Sequence, residues 1–473
     1  MICRRFGSYF RKAPQHVFLA ILYGVGVFLA GAPLAPSAHA APESRFSDQP
    51  IPLEKLPDRP KPIFEFGTPF LGQGAIGKGI ELPTGAVWNP TGVVFGTYRS
   101  ALQVFDNATS PQQSEWANRL DLFGNVYLTR TERILIGLNS LDREGKYSGY
   151  NFKPRRPSRF HGWQNETNVN ITTLFFEGDF GELFPDLDPH DRYAHDLGFS
   201  VGRQPLSFQE GIILNDTVDS VGISRNNLKL PGFSNFQITG LYGWGDVHRN
   251  DNRQDNSAQL YGLFLEADHP FTTLNLDTVY VSGGGRTGDQ LVAGASAVQR
   301  IGLVNTAFRV ASSFAPDGET AQVTRGTLLL AEISFTPTGT HDLAYLNGYY
   351  GIKNFASAAR APDAGGPLGR VGILFAARGI GRFGAPLSNR PGESAGGSVG
   401  YQKFFDNNRQ QLILEAGGRF DTDGSNTAAG ALGARYQIAV GQHVVLQVDG
   451  FVAQREKVDD DAFGLRFEFV YKF

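Results

Sequence analysis

The chain has 473 residues, with 43 Lys and Arg against 46 Asp and Glu, nine His, and a net charge of −3. That balance argues against a nucleic-acid surface built on excess positive charge, and a single cysteine excludes a disulfide framework or a thiolate metal site. Mean hydropathy is −0.22, yet the chain carries 58 Gly, 37 Phe and 16 Tyr, which points away from spanning helices and towards strands that are apolar on one face only.

Residues 1–40 read as a cleaved signal peptide: Arg4, Arg5, Arg11 and Lys12 form a basic head, Val17 to Ala30 an apolar run, and Ala38-His39-Ala40 a small-residue cleavage site. A spanning helix is the alternative, but the run is short and prolines follow it. Removal of four basic and no acidic residues takes the net charge from −3 to −7 and carries away the one cysteine, Cys3, and the one methionine. Residues 41–90 hold nine prolines and little periodicity, as expected of an extended periplasmic or barrel-associated leader, with a plug inside the pore as the alternative.

From Val93 onward the dominant signal is alternation with a period of two. In EWANRLDLFGNVYLTRTERILIGLNS, Trp116, Leu120, Leu122, Val126 and Leu128 fall on one face and Arg119, Asp121 and Asn125 on the other. The polar pair Thr131-Glu132 then turns the chain into a second run from Ile134, which makes a hairpin. NETNVNITTLFF puts Val169, Ile171, Thr173 and Phe175 outward and Asn168, Asn170 and Thr172 inward. Similar runs occupy 196–204, 216–224, 235–244, 258–268, 273–282, 300–313, 324–335, 341–352, 396–405, 410–420, 428–440, 443–454 and 461–473. The last alternates most cleanly: Phe463, Leu465, Phe467, Phe469, Tyr471 and Phe473 face one way, with Arg466, Glu468 and Lys472 between them.

That makes seventeen runs, an odd number for a chain whose two ends meet at one rim. Adding GRVGILFAARG (369–379) gives eighteen, and sixteen results if 196–204 and 216–224 are not both full spans. The expectation is an all-β fold, a transmembrane antiparallel up-and-down barrel of about eighteen strands over 91–473. Loops 141–164, 245–257, 283–299 and 380–395 are expected to face outward, whereas 179–195 and 353–368 are long yet fall on the periplasmic side of this count.

The water-facing parity supplies a candidate pore lining, because a charge facing lipid at the midplane costs about 2–4 kcal/mol. Its basic members are Arg119, Arg309, Arg419, Arg435, Arg466 and Lys472, and its acidic members Asp121, Glu266, Asp268, Asp277, Glu332, Glu415, Asp449 and Glu468. Nearly equal signs predict weak ion selectivity, with cross-strand pairing as the bland alternative for each charge. Loop GIGRFGAPLSNRPGES is a candidate constriction, with Arg378, Arg382 and Arg390. The basic stretch at 141–163, if external, would meet lipopolysaccharide phosphates or draw anionic solutes towards the mouth, with a solvated loop as the alternative, and DLDPHDRYAHD gathers carboxylates and histidines without the spacing of a calcium loop. Patterns for nucleophilic, zinc-dependent or phosphate-binding chemistry are missing, so no enzyme, cofactor or metal is expected.

One stretch, LGFSVGRQPLSFQEGIILNDTVDSVGI (197–223), resembles the alginate-export group of outer-membrane barrels through Gly202-Arg203-Gln204 and a following strand with Asp219. The resemblance implies an eighteen-stranded channel and places Gly202, Arg203, Gln204 and Asp219 at the inner wall or strand ends. A conduit for a polyanion should be electropositive, however, and six basic against eight acidic lining residues depart from that. The leading expectation is a Gram-negative outer-membrane porin passing small hydrophilic solutes. Its partners would be lipid, lipopolysaccharide and the barrel-assembly machinery, engaged through the strand ending at Phe473. A polysaccharide exporter is the alternative, and a barrel enzyme or adhesin a more distant one.

Overall fold

The computed structural model describes residues 61–68, 78–107, 112–129, 131–154, 161–187, 196–283, 287–425, 427–456 and 461–473. The expected signal peptide, most of the proline-rich leader and most of the carboxylate-histidine cluster at 186–196 lie outside them.

Eighteen strands form one closed antiparallel barrel. In chain order they are β1 (Thr91–Asp106), β2 (Gln113–Tyr127), β3 (Arg133–Asn139), β4 (Ile171–Asp179), β5 (Gly198–Phe208) and β6 (Leu214–Arg225). Next come β7 (Asn235–Trp244), β8 (Gln259–His269), β9 (Thr272–Ser282), β10 (Gln290–Ile301), β11 (Val304–Phe314) and β12 (Gly326–Phe335). The last six are β13 (Leu343–Lys353), β14 (Ser394–Phe405), β15 (Gln410–Asp421), β16 (Ala428–Val440), β17 (Val444–Arg455) and β18 (Ala462–Lys472). Closure comes from β18 pairing with β1, from Phe463 opposite Asp106 to Lys472 opposite Thr97. Phe473 and Gly96 then exchange both backbone hydrogen bonds, at 3.1 and 2.8 Å. Below them, the leader segment Phe64–Phe66 extends the same seam along β1. We call the end of the barrel at Phe473 the near rim and the opposite end the far rim.

Alternation decides what each side chain meets. In β18, Leu465 is 56% exposed on the outer face and Arg466 is 1% exposed inside. The outer wall carries apolar side chains flanked by aromatic clusters: Tyr242, Tyr261 and Tyr280 stand side by side on β7, β8 and β9, and Tyr98 opposes Tyr471 near the other rim. Bands of this kind are what an apolar slab between two polar interfaces selects.

Two assignments change. The strand missing from the sequence reading is β10, Gln290–Ile301, whereas 369–379 contributes no strand and begins in a short 3-10 turn, Pro367–Arg370. Both errors have the same cause. LVAGASAV carries small residues on both faces, because the inner one must admit Ile213 from the turn after β5, so its alternation is faint: a Cβ on Gly294 would sit 2.5 Å from the Ile213 side chain. GRVGILFAARG looks apolar because Val371, Ile373, Leu374 and Phe375 are closely spaced core residues. Restoring β10 inverts the count after it, so the long segment at 354–393 leaves from the far rim. The segment 180–197 remains at the near rim, where Asp179 caps the short helix Phe180–Leu183 by accepting from Gly181 N at 2.8 Å.

The parity of β4 also shifts. A bulge between Ile171 and Thr173 turns Leu174 outward and brings Thr173 and Phe175 inside, opposite to the expected facing beyond that point. Gly202 of β5 answers this bend. Its φ is +127° and a Cβ there would lie 2.3 Å from the Leu174 carbonyl oxygen. Gly202→Ala should cost about 1–3 kcal/mol and lower the temperature at which the folded, detergent-resistant band converts to the unfolded one on a gel.

Candidate functional site

The 354–393 segment leaves β13 and returns to β14, which pair directly, Tyr350 opposite Ala395. Between these anchors it does not form an outer loop. It enters the barrel, because Leu368, Val371, Leu374, Phe375, Ile380, Phe383 and Leu387 are almost fully buried and find their partners on the inner wall. Leu374 lies over Gly417 and Gly433, inward-facing positions of β15 and β16 whose missing side chains make room for it. Phe383 packs edge-on between Phe105 and Phe451. On the other side of the lumen, Ala359–Arg360 pairs in parallel with Leu214–Asn215 of β6. The insert therefore spans the lumen from wall to wall.

Wall side chains hold its backbone. Glu415 accepts from Ile373 N at 2.9 Å and Leu374 N at 2.8 Å, and also from the Tyr345 hydroxyl. Glu115 accepts from Arg382 N, Arg419 donates to the Arg390 carbonyl at 2.7 Å, and Ser398 donates to the Val371 carbonyl at 2.6 Å. Arg119 reaches Asp363 of the insert at 2.7 Å while also contacting Asp121 at 3.1 Å. Burial holds the Arg360 guanidinium down to about 10, and its hydrogen bonds go to Ser357 Oγ at 3.1 Å and to the carbonyls of Gly365 and Gly211. These contacts satisfy buried backbone groups that a bare segment inside a barrel would leave unpaired.

The insert divides the interior into two environments. On the β5–β12 side the far-rim half of the wall is apolar: Leu206, Val218, Leu241, Leu260, Phe264, Val279 and Val292 pack on Ile212, Ile213 and the start of the insert. This departs from the uniformly polar lumen that strand parity predicts. The far-rim loop 245–258 folds in above, with Val247 fully buried and His248 bonded to Asp216 through both its backbone N at 2.7 Å and its Nδ1 at 2.8 Å. Burial alone would lower the His248 imidazole, but the bond and charge of Asp216 outweigh it and the net shift is upward. Its stabilising contribution is thus complete below the ordinary value near 6.5 and fades as pH rises through the elevated one. Accordingly, the melting-temperature difference between wild type and His248→Gln should be largest near pH 6 and shrink towards pH 9.

On the opposite side lies a cavity of about 530 Å³. Arg99 of β1, Arg435 of β16, and Arg370 and Arg378 of the insert border it, with Glu332, Glu468, Tyr345, Asn347 and Gln447. The charges there are sorted by depth. Asp449 is 1% exposed and contacts Arg435 at 2.7 Å, Arg466 at 2.9 Å and Arg378 at 3.5 Å. Glu468, nearly as deep, contacts Arg99 at 2.6 Å and also Arg466. Two recessed carboxylates therefore hold four guanidinium groups, and Arg99, Arg378 and Arg435 point their surplus charge into the cavity. A second cluster at the cavity edge joins Arg309 and Arg370 to Glu210 and Glu332, with Arg309–Glu210 at 3.0 Å and Arg370–Glu332 at 2.9 Å.

The structure thus brings Arg309, Glu332, Arg435, Asp449, Arg466 and Glu468 together around or beside the cavity, while Arg119, Glu415 and Arg419 grip the insert and Asp121 pairs with Arg119. Glu266, Asp268 and Asp277 also face inward, on β8 and β9, where Asp268 accepts from Thr273 at 2.7 Å. Lys472 is exposed at the near rim. Parity alone missed Arg99, which shares its face with Ala101 and Gln103, and Arg370, which lies in 369–379, the segment expected as a strand that belongs to the insert. Of the residues carried by the local resemblance, Gly202 and Gln204 face inward, Gln204 donating to Ser220 Oγ at 2.8 Å. Arg203 and Asp219 do not line the inner wall. They form a two-bond pair at 2.9 and 3.0 Å on the outer face, joined by Asp246 from the loop after β7.

No family model matches the chain, and no curated protein matches it by sequence. Solved structures do. A BenF-like porin from Pseudomonas fluorescens Pf-5 superposes with a TM-score of 0.55 at 10% identity, covering 81% of this chain and 98% of that one. Pseudomonas aeruginosa OccK5 (OpdH) gives 0.53 at 9% identity over 81% and 98%. Pseudomonas aeruginosa OpdK with vanillate gives 0.53 at 11% identity over 80% and 98%. At such identities the likeness establishes the barrel fold.

Proposed function

We propose that this chain is a channel of the Gram-negative outer membrane through which small hydrophilic solutes diffuse passively, with a preference for organic anions. The observation that carries this reading is the depth sorting at the cavity: the Arg99 and Arg435 side chains are 24% and 20% exposed, whereas those of their partners Glu468 and Asp449 are 3% and 1% exposed. A solute carboxylate entering there replaces part of its hydration with preorganised donors and leaves again down its gradient. Counting charges predicts weak selectivity, but the count ignores that Asp449 and Glu468 are already committed behind the arginines. The apolar outer wall with aromatic bands supports a membrane location, and the porin neighbours, one of them crystallised with vanillate, support the solute class.

The polysaccharide-export alternative needs a passage that admits a polymer, and the wall-to-wall insert argues against one. Export by a cleaved signal peptide, contact with lipid and lipopolysaccharide, and assembly through the strand ending at Phe473 belong to the same proposal. Flux into proteoliposomes tests it. Radiolabelled small carboxylates should enter severalfold faster than amines of equal size, and equal or inverted rates would contradict the reading.

A further inference from the structure

Below the arginine cavity, towards the near rim, four glutamines stand on four neighbouring strands. Gln402 of β14 donates to Gln411 of β15, Gln411 to Gln437 of β16, Gln437 to Gln447 of β17, and Gln447 to Asp449. Gln411, Gln437 and Gln447 share the inward parity of Glu415, Arg435 and Asp449, and Gln447 borders the cavity itself.

The direction of the row is fixed from one end. The Asp449 carboxylate, held by Arg435 and Arg466, only accepts. Gln447 must therefore turn its amide nitrogen to Asp449 and its oxygen to Gln437, and the same choice passes down to Gln402. Bonds aligned in this way polarise one another, so the row is a stiff, ordered surface. Each amide has two N–H donors and two acceptor positions, and the row uses one donor and one acceptor per internal member. What faces the lumen is a repeating donor and acceptor at the strand spacing of about 4.8 Å. A hydroxyl group, which donates and accepts, satisfies both. An aromatic ring satisfies neither, and laying one there strips water from the amides without replacement.

We infer that the channel selects polyhydroxylated carboxylates, the chemical class of aldonic and uronic acids, seating the carboxylate on Arg99, Arg378 and Arg435 and the hydroxyls on the Gln411–Gln437–Gln447 row. This rests on the channel reading and narrows it. Neutral sugars lack the group the arginines hold, and aromatic acids without hydroxyl groups, such as benzoate, lack the groups the row holds.

The test is the gluconate-to-benzoate permeability ratio from bi-ionic reversal potentials across a planar bilayer holding the full chain. Wild type should give a ratio above one, although gluconate is the bulkier ion. Gln411→Met and Gln437→Met, similar in volume but without amides, should each lower the ratio at least threefold while leaving chloride conductance within twofold. A wild type that favours benzoate, or either variant conducting chloride with an unchanged ratio, overturns the inference and leaves the channel standing. A wild type silent to every ion removes the channel reading itself.

Discussion

Replacing residues 357–390 by a four-residue turn is expected to raise single-channel conductance roughly threefold or more, as the lumen opens to the width of an eighteen-stranded barrel. The barrel should survive the excision. Tyr350 and Ala395 are direct partners across β13 and β14, so the two ends are already at hairpin distance. The strands keep their ladders, because among the described residues the insert pairs only two of its own with the wall, Ala359 and Arg360 on β6. The changes fall on Glu415, Arg419 and Arg119, which lose insert partners but regain water. A conductance equal to wild type would mean that solute never passes beside the insert, and the constriction would have to lie elsewhere.

The second large effect concerns charge. Arg435→Ala and Arg99→Ala each remove a guanidinium from the cavity edge while Arg466 continues to hold Asp449 and Glu468. A unit charge about 8 Å from a permeating ion, at an effective dielectric of about 40, is worth about 1 kcal/mol. The shift disfavours an anion and favours a cation by the same amount, so each substitution should lower the anion-to-cation permeability ratio by about 25-fold, and the double variant should bring it below one.

What could be read from the sequence and what could not divide along a physical line. Strands whose two faces meet different media announced themselves: β18 alternates Leu465, Phe467 and Phe469 with Arg466 and Glu468 because one side is apolar and the other is an ion-pair network. Strands whose inner face is also apolar or small did not. β10 packs Val292 and Gly294 against Ile213, so its hydropathy hardly oscillates, whereas 369–379 in the insert resembles a strand because Val371, Ile373 and Leu374 supply apolar character for another reason. The bulge at Ile171–Thr173 costs one residue of register and is invisible to a period-two reading, which is why Thr173 and Phe175 were placed on the wrong side.

The site follows the same division. Parity found Arg435, Asp449, Arg466 and Glu468, since a charge on the inner face of a strand needs no tertiary information. It could not find depth. That Asp449 is recessed and Arg99 reaches the cavity depends on side-chain length and on which partner lies one strand away. Nor could it find Arg370 and Arg378 as cavity residues, because their placement comes from the insert crossing the lumen. A useful signal was present all the same: four arginines, Arg370, Arg378, Arg382 and Arg390, in a largely apolar segment holding no acidic residue between Asp363 and Glu393, which marks a stretch that must find partners elsewhere. Glu332 supplies one to Arg370 and Asp449 one to Arg378.

The most direct measurement of the central claim is the reversal potential of the purified full chain in a planar bilayer under a tenfold KCl gradient. Stable open-channel currents with a potential displaced towards the chloride equilibrium value are the predicted result. A potential at zero, or one displaced towards potassium, would show that the arginines around the cavity do not govern what passes.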